Sequence, residues 1–536
     1  MFRAGVIIAA LALLTTGCGE AAPRVLTSRC AAFEGRTDSG GGGTLSGSAA
    51  YRKRRVASGG MTGEVVSVPI RFALVEVVAC RSGDVLAEGE TGEDGSYAIS
   101  FSNPGPPGVY VRVSSRSGTY AASVKRSPQE PVLYGVVSGG IDDLPRGARA
   151  LPALEARDTS GAAGAFNILE QGVRGGRLVE AATGSTPTAG LQWYWYPGNP
   201  DGTAYNPGAR AISVLGQLAD PDEWDDAVLL HEYGHYAADV YSKDDSPGGP
   251  HRFGDSTLDL RLAWSEGWAT FFSSAVRNDP RHVDTSGTGV RLEFEIEGPS
   301  LASSARYDTN ELAVAAVLWD LYDDTNADEE PGPLTIPFDR IWGVVADLSA
   351  FSTVSFEDFW LHWQSGNLGD LTSVLAPRDI DLWRDFYEGS SDDDLPARGE
   401  AIGLEEIQLR TLYPVGDVDY AVFTPGGDGV YTVSTSRCVI GVAGVTCDVR
   451  VSNAADTVLD VAGVSPGLSA DNLDGGTYSP SYCVTCPPND ADTLSSRIVF
   501  SGTAGNPVTI KVTRSVSAPP SAGDLGSYGL VVEKIP

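Results

Sequence analysis

The sequence predicts a multidomain protein in which an α+β core lies between an N-terminal and a C-terminal β-sandwich domain. Short segments in which apolar and polar residues alternate occur towards both ends of the chain and are typical of half-buried strands. The middle, about residues 148–408, instead carries helical patterns and a concentration of tryptophans. The chain has 536 residues, of which 42% are hydrophobic, and is therefore long enough for several domains with their own cores.

The first residues predict export from the cell. Arg3 precedes a short apolar run that is too short to span a bilayer and is followed by small residues. The segment LTTGC at 14–18 resembles the lipobox of bacterial lipoproteins, although its leucine lies one position further upstream than usual. We favour a lipoprotein anchored through Cys18, and the alternative is a plain secretion signal with a chance cysteine. We expect a signal peptide with a lipobox-like end at 1–18 and a tether at 19–44.

The charge of the chain restricts its partners. The net charge is −32 and the pI is near 4.4, which argues against nucleic acid and anionic lipid surfaces, since both are themselves negative. Membrane contact is therefore expected only through the lipid anchor at Cys18. We expect the protein to be extracellular or on the bacterial outer-membrane surface.

The cysteines also indicate an exported protein. Seven is an odd number, and lipidation of Cys18 would leave six for disulfide bonds, which form in oxidising compartments. Two of them, Cys30 and Cys80, predict one N-terminal bridge. Four more predict two local bridges near the C-terminus: Cys438, Cys447, Cys483 and Cys486. A zinc knuckle is the alternative for these four, but the spacing Cys438-x8-Cys447 does not fit one.

Residues 45–135 are predicted to form the N-terminal β-sandwich. Alternating runs occupy 68–80, 85–101 and 108–115, and Gly-Glu-Asp-Gly at 92–95 predicts a hairpin turn. The segment GETGEDGSYAI resembles the carboxypeptidase regulatory-like modules of bacterial surface proteins. That resemblance implies the sandwich fold and carries no function with it.

Residues 409–536 are predicted to form the C-terminal β-sandwich. This range resembles the bacterial pre-peptidase C-terminal domain, which is often attached to secreted proteases. The matching residues are GDVDY at 416–420 and GSYGL at 526–530. The cysteine-containing region between them departs from the pattern as an insertion.

The stretch LLHEYGHYAADVY, residues 229–241, carries the strongest chemical pattern. Asp-Pro-Asp-Glu at 220–223 predicts a helix start, with a capping aspartate, a proline at the first helical position and acids in the first turn. His231 and His235 are four residues apart, so both imidazoles lie on one face of the helix and reach one metal ion. Glu232 is offset by about 100°, which leaves it beside the metal, where it accepts a proton.

A core helix with two satisfied histidines is the alternative to a metal site. The apolar residues 228–230 bury this helix at its start, and a buried pair of histidines with a glutamate is costly without a metal. Catalytic zinc needs a third protein ligand and one open position. The segment LAWSEGWATFF at 262–272 predicts an apolar helix whose single charged residue, Glu266, needs a strong partner. Glu266 is therefore the candidate third ligand, and a carboxylate that faces solvent is the alternative.

The pattern His231-Glu232-x-x-His235 followed by Glu266 in SEGWATFF resembles the gluzincin zinc metallopeptidases, which include thermolysin-like and fungalysin-like enzymes. The resemblance implies that His231, His235 and Glu266 bind Zn²⁺. It also implies that Glu232 is the general base in the hydrolysis of protein or peptide substrates.

A second segment supports the same resemblance. ELAVAAVLWDLYDD at 311–324 resembles a fungalysin-type helix, and the resemblance covers about residues 190–330. It implies a two-lobed zincin-type α+β metallopeptidase core, which we place at 148–408, with zinc in the cleft between the lobes.

Two positions depart from these families. Where they often place an aspartate that supports a histidine ligand, this chain has Thr270. Where they place a histidine that stabilises the oxyanion, this chain reads RYDTN. Tyr307 and Asn310 offer a hydroxyl and an amide for that role, and His251, from a loop before the Glu266 helix, is another candidate. We take Tyr307 and His251 as the catalytic candidates.

Three weaker patterns complete the analysis. The strand at 209–217 is expected to be an edge strand that pairs with the backbone of the substrate. The alternating acids at 324–328 predict either a Ca²⁺ site with oxygen ligands or a solvated acidic loop. His282 and His362 are expected to be surface or core residues.

Two functions of different classes stay open, and a zinc hydrolase that acts on something other than peptides is a third option. The first is a secreted or surface-anchored zinc-dependent metalloendopeptidase, in which Glu232 deprotonates a zinc-activated water. The second is a non-catalytic surface binding protein or adhesin on a decayed metallopeptidase fold. Thr270 and the missing oxyanion histidine favour the second function, and the retained Glu232 opposes it.

Overall fold

The computed structural model describes most of the chain. The described residues are 41–535 except 103–107, 142–146, 256–257, 288, 298–304, 306, 324–333, 351–353, 367, 370, 379, 381–394, 411, 413–416, 437, 442–443, 448–456, 465–466, 472–495 and 516–527. The signal peptide, Cys18 and the acidic segment at 324–328 therefore lie outside the described residues. Among the described residues, no helix is long and apolar enough to cross a membrane.

The N-terminal part of the described chain is built from strands. They are β1 (Gly42–Ala57), β2 (Gly60–Pro69), β3 (Leu74–Ala79), β4 (Val85–Glu90), β5 (Ser96–Ser102), β6 (Val109–Ser114), β7 (Arg116–Ser117), β8 (Ala122–Lys125), β9 (Gly135–Val137), β10 (Ala148–Ala150) and β11 (Leu154–Ala156). In one sheet, β1 pairs antiparallel with β2 and β5 and parallel with β10 and β11. A second sheet has the order β4-β3-β6-β9. The predicted β-rich N-terminal region is confirmed.

The predicted hairpin at 92–95 is wrong. A tight turn does occur there, because Gly95 has a φ of 76° and an added Cβ would lie 2.4 Å from the carbonyl oxygen of Ala49. However, β4 pairs with β3 and β5 pairs with β1, so the turn connects two sheets. A hairpin and a turn between two sheets leave the same alternation of apolar and polar residues in the flanking strands, so the sequence pattern does not distinguish them.

The middle region mixes helices and strands. They are α1 (Gly161–Thr183), β12 (Leu191–Tyr194), β13 (Ala204–Asn206), β14 (Ala211–Ser213), α2 (Asp226–Tyr241), α3 (Leu260–Arg277), β15 (Arg281–Ser286), β16 (Gly289–Glu295), α4 (Glu311–Tyr322), α5 (Phe338–Asp347), α6 (Phe356–Ser365) and α7 (Thr372–Leu375). The helices predicted over 229–241, 262–272 and 311–324 are confirmed as α2, α3 and α4, the last ending at Tyr322.

The N-terminal and middle regions share sheets and a core. Strands β7 and β8 join a sheet of order β13-β14-β12-β8-β7, in which β8 pairs in parallel with β12. One cluster of buried apolar side chains extends along the chain from Leu45 to Ile380. The predicted ranges 45–135 and 148–408 therefore pack as neighbours around one continuous core.

Helix α3 lies between α2 and α4, and glycines set the close approach. An added Cβ on Gly234 of α2 would lie 2.8 Å from the Cα of Ala269 in α3. An added Cβ on Gly267 of α3 would lie 2.6 Å from the Cβ of Val314 in α4. The buried Trp268 indole donates to the carbonyl of Gly234, at 3.1 Å, and so fixes α3 against α2. This packing brings the two predicted ligand helices together.

The predicted start of the α2 helix is wrong. Residues 222–224 form a short 3-10 turn, and α2 begins only at Asp226. The acids make tertiary contacts instead of capping the helix, because Asp222 accepts from the Thr203 hydroxyl and Asp225 accepts from the backbone N–H of Thr285. Side chains that cap a helix and side chains that hold neighbouring elements have the same polar pattern in sequence.

The predicted edge strand is also wrong. The segment at 209–217 contributes β14, which lies between β13 and β12. The edge of the sheet is β13, which pairs antiparallel with β14 on one side. The reason is that residues 204–206 form a hairpin with β14 and so add one more strand outside it.

The C-terminal region forms a separate β-sandwich. Its strands are β17 (Glu400–Ile402), β18 (Ile407–Arg410), β19 (Val418–Phe423), β20 (Gly429–Ser436), β21 (Cys438–Gly441), β22 (Gly444–Cys447), β23 (Thr457–Ala462), β24 (Leu468–Asp471), β25 (Arg497–Gly502), β26 (Val508–Arg514) and β27 (Tyr528–Ile535). Sheets of order β17-β19-β26-β23-β24 and β18-β27-β20-β25 enclose a second apolar core. The predicted C-terminal sandwich is confirmed, although its first strand begins before residue 409.

The described cysteines are consistent with an oxidised protein. Cys80 is disulfide-bonded. Its predicted partner Cys30 lies outside the described residues, as do Cys483 and Cys486. Cys438 and Cys447 are direct Cα partners across β21 and β22.

Candidate metal centre

The histidines of α2 and the glutamate of α3 meet at one point. The Nε2 atoms of His231 and His235 lie 3.2 Å apart, because residues four apart on a helix share a face. Oε2 of Glu266 lies 3.0 Å from Nε2 of His231 and 3.4 Å from Nε2 of His235. We call these three atoms the donor triangle.

The donor triangle fits zinc. A tetrahedral zinc ion with bonds of about 2.0–2.1 Å needs ligand atoms about 3.3–3.4 Å apart, and the three observed separations are close to that. Two imidazoles and one carboxylate form a donor set that catalytic zinc sites use, with a fourth position left for water. The residues therefore fit the ion that the sequence analysis predicts.

Thr270 supports the first histidine. Its Oγ1 lies 3.1 Å from Nδ1 of His231, and both side chains are buried. Metal-binding histidines usually donate the N–H of their second ring nitrogen to such a partner, which fixes the ring and the tautomer. Thr270, which departs from the gluzincin pattern, thus occupies a supporting position beside His231.

Asp244 and Ser265 support the second histidine. Oδ2 of Asp244 lies 3.3 Å and Oγ of Ser265 lies 3.1 Å from Nδ1 of His235. Ser265 also donates to Asp244 at 2.9 Å, which completes a small network. An ionised carboxylate only accepts, so Nδ1 donates to Asp244 and Nε2 is the nitrogen that would bind a metal ion.

Glu232 lies beside the donor triangle and is held by the edge strand. Its Oε2 accepts from the backbone N–H of Tyr205 in β13, at 2.7 Å. The Tyr205 hydroxyl donates to Asp239 of α2, at 2.6 Å, so β13 is fixed to the helix at two points. Burial raises the pKa of Glu232, and the charges of His231 and His235 oppose that rise.

The charges within the triangle are strongly coupled. Burial of Glu266 alone would raise its pKa, but the charge of His235 and hydrogen bonds from both histidines hold it well below its usual range. Burial alone would lower the pKa of His235, but Glu266 and Asp244 raise it well above the usual value. A carboxylate that stays ionised in this setting is suited to a cation.

The site opens into a cleft with a volume of about 460 Å³. Its polar wall contains the donor triangle and Glu232, together with Tyr205 and Asp239. Its apolar wall is formed by the following side chains: Val228, Phe253 and Leu292. The acids and the histidines therefore face a space that a chain segment can enter.

His251 lies at this site. Its Nε2 is 3.6 Å from Oε2 of Glu266, and its ring lines the cleft. Tyr307 is not among the residues that line the described cleft, and its backbone N–H donates to the carbonyl of Arg378. Asn310 caps α4 by accepting from Leu312 and Ala313, which occupies its amide oxygen.

The remaining histidines differ from each other. His282 is buried in β15, stacks on Phe294 at a ring distance of 4.8 Å and lines the cleft, which the sequence analysis missed. Burial lowers the pKa of His282 well below its usual value and keeps the ring neutral. His362 pairs with Asp347, at 3.1 Å, outside the cleft.

Sequence reasoning also missed Tyr205 and Asp244. Asp244 follows the end of α2 in a polar loop, and Tyr205 lies in a three-residue strand, so neither carries a periodic signal. Ser265 was detectable in principle, because it directly precedes Glu266 on the same helix.

Comparisons with known proteins find a family match for the central segment of the chain. Residues 181–374 match the model of the Mycolysin C-terminal domain, which covers about a third of the chain. The matched range contains α2 and α3 with the whole donor triangle. This part of the chain is therefore similar to a protease-family domain.

The other likenesses are narrower. An uncharacterized protein of Archaeoglobus fulgidus is 37% identical over 108 residues, which is 19% of this chain. The chain spans only 28% of the length of that relative.

Two solved structures were also matched. The pre-peptidase C-terminal domain of collagenase from Bacillus anthracis is 12% identical with a TM-score of 0.16, over 25% of this chain and 96% of that chain. The major plantain pollen allergen Pla l 1 is 14% identical with a TM-score of 0.14, over 22% and 95%. TM-scores this low assign no fold to any part of the chain.

Proposed function

We propose that this protein is a secreted or surface-anchored zinc metalloendopeptidase. One observation carries the proposal: the donor triangle and the Glu232 carboxylate face the same open cleft. The similarity of residues 181–374 to the Mycolysin C-terminal domain supports it. His231, His235 and Glu266 would hold the zinc ion.

The chain's own residues supply the proton transfer. Zinc, when bound, lowers the pKa of a water ligand to about 7 and polarises a carbonyl oxygen. Glu232 takes the proton of the attacking water and passes it to the leaving amine. The backbone N–H of Tyr205 keeps one carboxylate oxygen of Glu232 fixed, which leaves the other oxygen to accept the proton. Thr270 and Asp244 hold the histidine rings in place.

The edge strand supports a peptide substrate. Strand β13 lines the cleft with Ala204 and Tyr205, and no strand among the described residues pairs with its outer side, although Glu232 accepts from the Tyr205 N–H. An extended substrate that adds to this side would bind through main-chain groups and so tolerate many sequences. The proposed docking strand is therefore β13 and not the segment at 209–217.

One argument for the rival function, a non-catalytic binding protein on a decayed metallopeptidase fold, is weakened. A decayed site was favoured by Thr270, which stands where related enzymes have an aspartate. Thr270 contacts Nδ1 of His231 at 3.1 Å, so the position keeps its supporting contact. Anchoring through Cys18 and binding of Ca²⁺ at 324–328 stay proposals on residues outside the described part of the chain.

Substitution of Glu232 by Gln tests the proposal. We expect hydrolysis of casein by the zinc-loaded full chain to fall by about 10²–10⁴-fold, which is the usual contribution of a general base, while the zinc content stays the same. The matched control is Glu64→Gln, since Glu64 is exposed and pairs with Arg55 outside the cleft.

The outcomes separate the alternatives. Equal activity in the Glu232→Gln variant would refute the role of the base. A zinc-loaded wild type that retains casein or peptides without cleaving them would refute the peptidase and leave the binding protein.

A further inference from the structure

Glu311 is a buried carboxylate that the proposed mechanism does not use. It begins α4 and is 1% exposed. Among the described residues, neither of its carboxylate oxygens has a hydrogen-bond partner. A buried charge without a partner costs several kcal/mol, so a residue of this kind needs a compensating group. The nearest candidate is His251, whose Nε2 lies 3.6 Å from Oε2 of Glu311.

The hydrogen bond of His251 shows which nitrogen is free. Its Nδ1 lies 3.1 Å from the carbonyl oxygen of Gly249, and a carbonyl only accepts, so Nδ1 donates. In the neutral ring, Nε2 then carries a lone pair. Metal-binding histidines have this arrangement, with the other ring nitrogen bonded to a backbone carbonyl or a carboxylate. His231 and His235 share it, through Thr270 and Asp244.

Nε2 of His251 faces two carboxylates. Nε2 lies 3.6 Å from Oε2 of Glu266 and 3.6 Å from Oε2 of Glu311. These separations are too long for a direct hydrogen bond, and three electron-rich atoms repel each other unless a proton or a metal ion lies between them. The three groups have one ligand atom each within 4.8 Å of one another.

We propose that His251, Glu266 and Glu311 bind a second divalent cation beside the donor triangle. Glu266 belongs to both sites, because its Oε2 is 3.0 Å from Nε2 of His231 and 3.6 Å from Nε2 of His251. One imidazole and two carboxylates suit zinc or manganese. This inference rests on the proposed function in one respect, since it shares Glu266 with the first zinc site.

The position of the second site gives it an entry path. The His251 side chain lines the cleft and is 24% exposed, whereas Glu311 is 1% exposed. When all three are ionised, the carboxylates of Glu232, Glu266 and Glu311 carry one negative charge more than a single zinc ion neutralises. Among the described residues, their partners are histidines and a backbone N–H, so a second cation would offset the remaining negative charge.

Zinc binding to the full chain tests the second site. After removal of metals with a chelator, the protein is dialysed against ZnCl₂ and the bound zinc is measured by elemental analysis. We expect two equivalents for the wild type and one for His251→Ala and Glu311→Gln. His362→Ala is the matched control, since this histidine lies outside the cleft, and it should keep two equivalents. Glu266→Gln should weaken both sites by at least about tenfold.

The failures of the two proposals are distinguishable. One equivalent in the wild type that is lost in His231→Ala would refute the second site and leave the proposed function intact. Two equivalents in both His251→Ala and Glu311→Gln would also refute it. If Glu311→Gln does not fold, His251→Ala decides alone, because its ring lies at the rim of the cleft. Wild-type protein whose bound zinc is unchanged by His231→Ala would refute the first site instead.

Discussion

The contact between Thr270 and His231 leads to a quantitative prediction. Thr270→Val keeps the shape of the side chain but removes the oxygen that accepts from Nδ1 of His231, at 3.1 Å. Both side chains are buried, so water does not replace the lost partner. An unsatisfied buried donor costs about 1–3 kcal/mol, and loss of such a supporting contact lowers metal affinity about 10–100-fold.

Competition with a chromophoric chelator measures this effect. We expect the zinc dissociation constant of Thr270→Val to rise about 10–100-fold, while the pattern of secondary structure in circular dichroism stays the same. Thr432→Val is the matched control, because Thr432 is a buried threonine in the C-terminal sandwich whose hydroxyl contacts a carbonyl at 3.3 Å. Unchanged zinc affinity in Thr270→Val would refute the supporting role of the threonine.

Two further predictions concern stability. Burial raises the pKa of Asp222 from 3.8 to about 7, so the folded state binds the proton more tightly than the unfolded state. The free energy of unfolding that this proton contributes is fully present below pH 4 and is lost as the pH rises through 7, by up to about 4 kcal/mol. Asp222→Asn should therefore reduce the fall in Tm between pH 5 and 8, and an unchanged fall would contradict the assignment. Gly234→Ala should lower stability by about 1–3 kcal/mol in urea unfolding and weaken zinc binding, because its Cβ would meet the backbone of α3. Gly343→Ala is the control and should lower neither stability nor zinc binding, because no atom lies within 4 Å of its added Cβ. An equal loss of stability in both variants would contradict the packing argument.

Much of the site could be predicted from the sequence, because helix geometry fixes local relations. The four-residue spacing of His231 and His235 alone places their rings on one face. Glu266 was found as a lone charge in an apolar helix, and α3 does bring it to both histidines.

Relations between distant segments could not be predicted in the same way. Tyr205, Asp244 and Thr270 contact site residues that lie 9 to 39 positions away in the chain. Their side chains serve tertiary contacts that leave no periodic pattern. The helix start at 220–223 was misplaced for the same reason, since its acids bond to distant segments and not to the helix.

The domain ranges also could be predicted only in part from the sequence. Alternation along 45–135 predicted strands correctly, but it does not say which sheet each strand joins. Strands β7 and β8 complete a sheet with β12, β13 and β14 of the middle region. The C-terminal sandwich could be separated from sequence because its strands pair with each other.

An anomalous-difference map of a crystal grown with zinc tests the central claim most directly. The account predicts a strong peak within about 2.0–2.1 Å of Nε2 of His231, Nε2 of His235 and Oε2 of Glu266. No peak at this position in the presence of excess zinc would contradict the account, and α2 would then be a buried helix that carries two histidines.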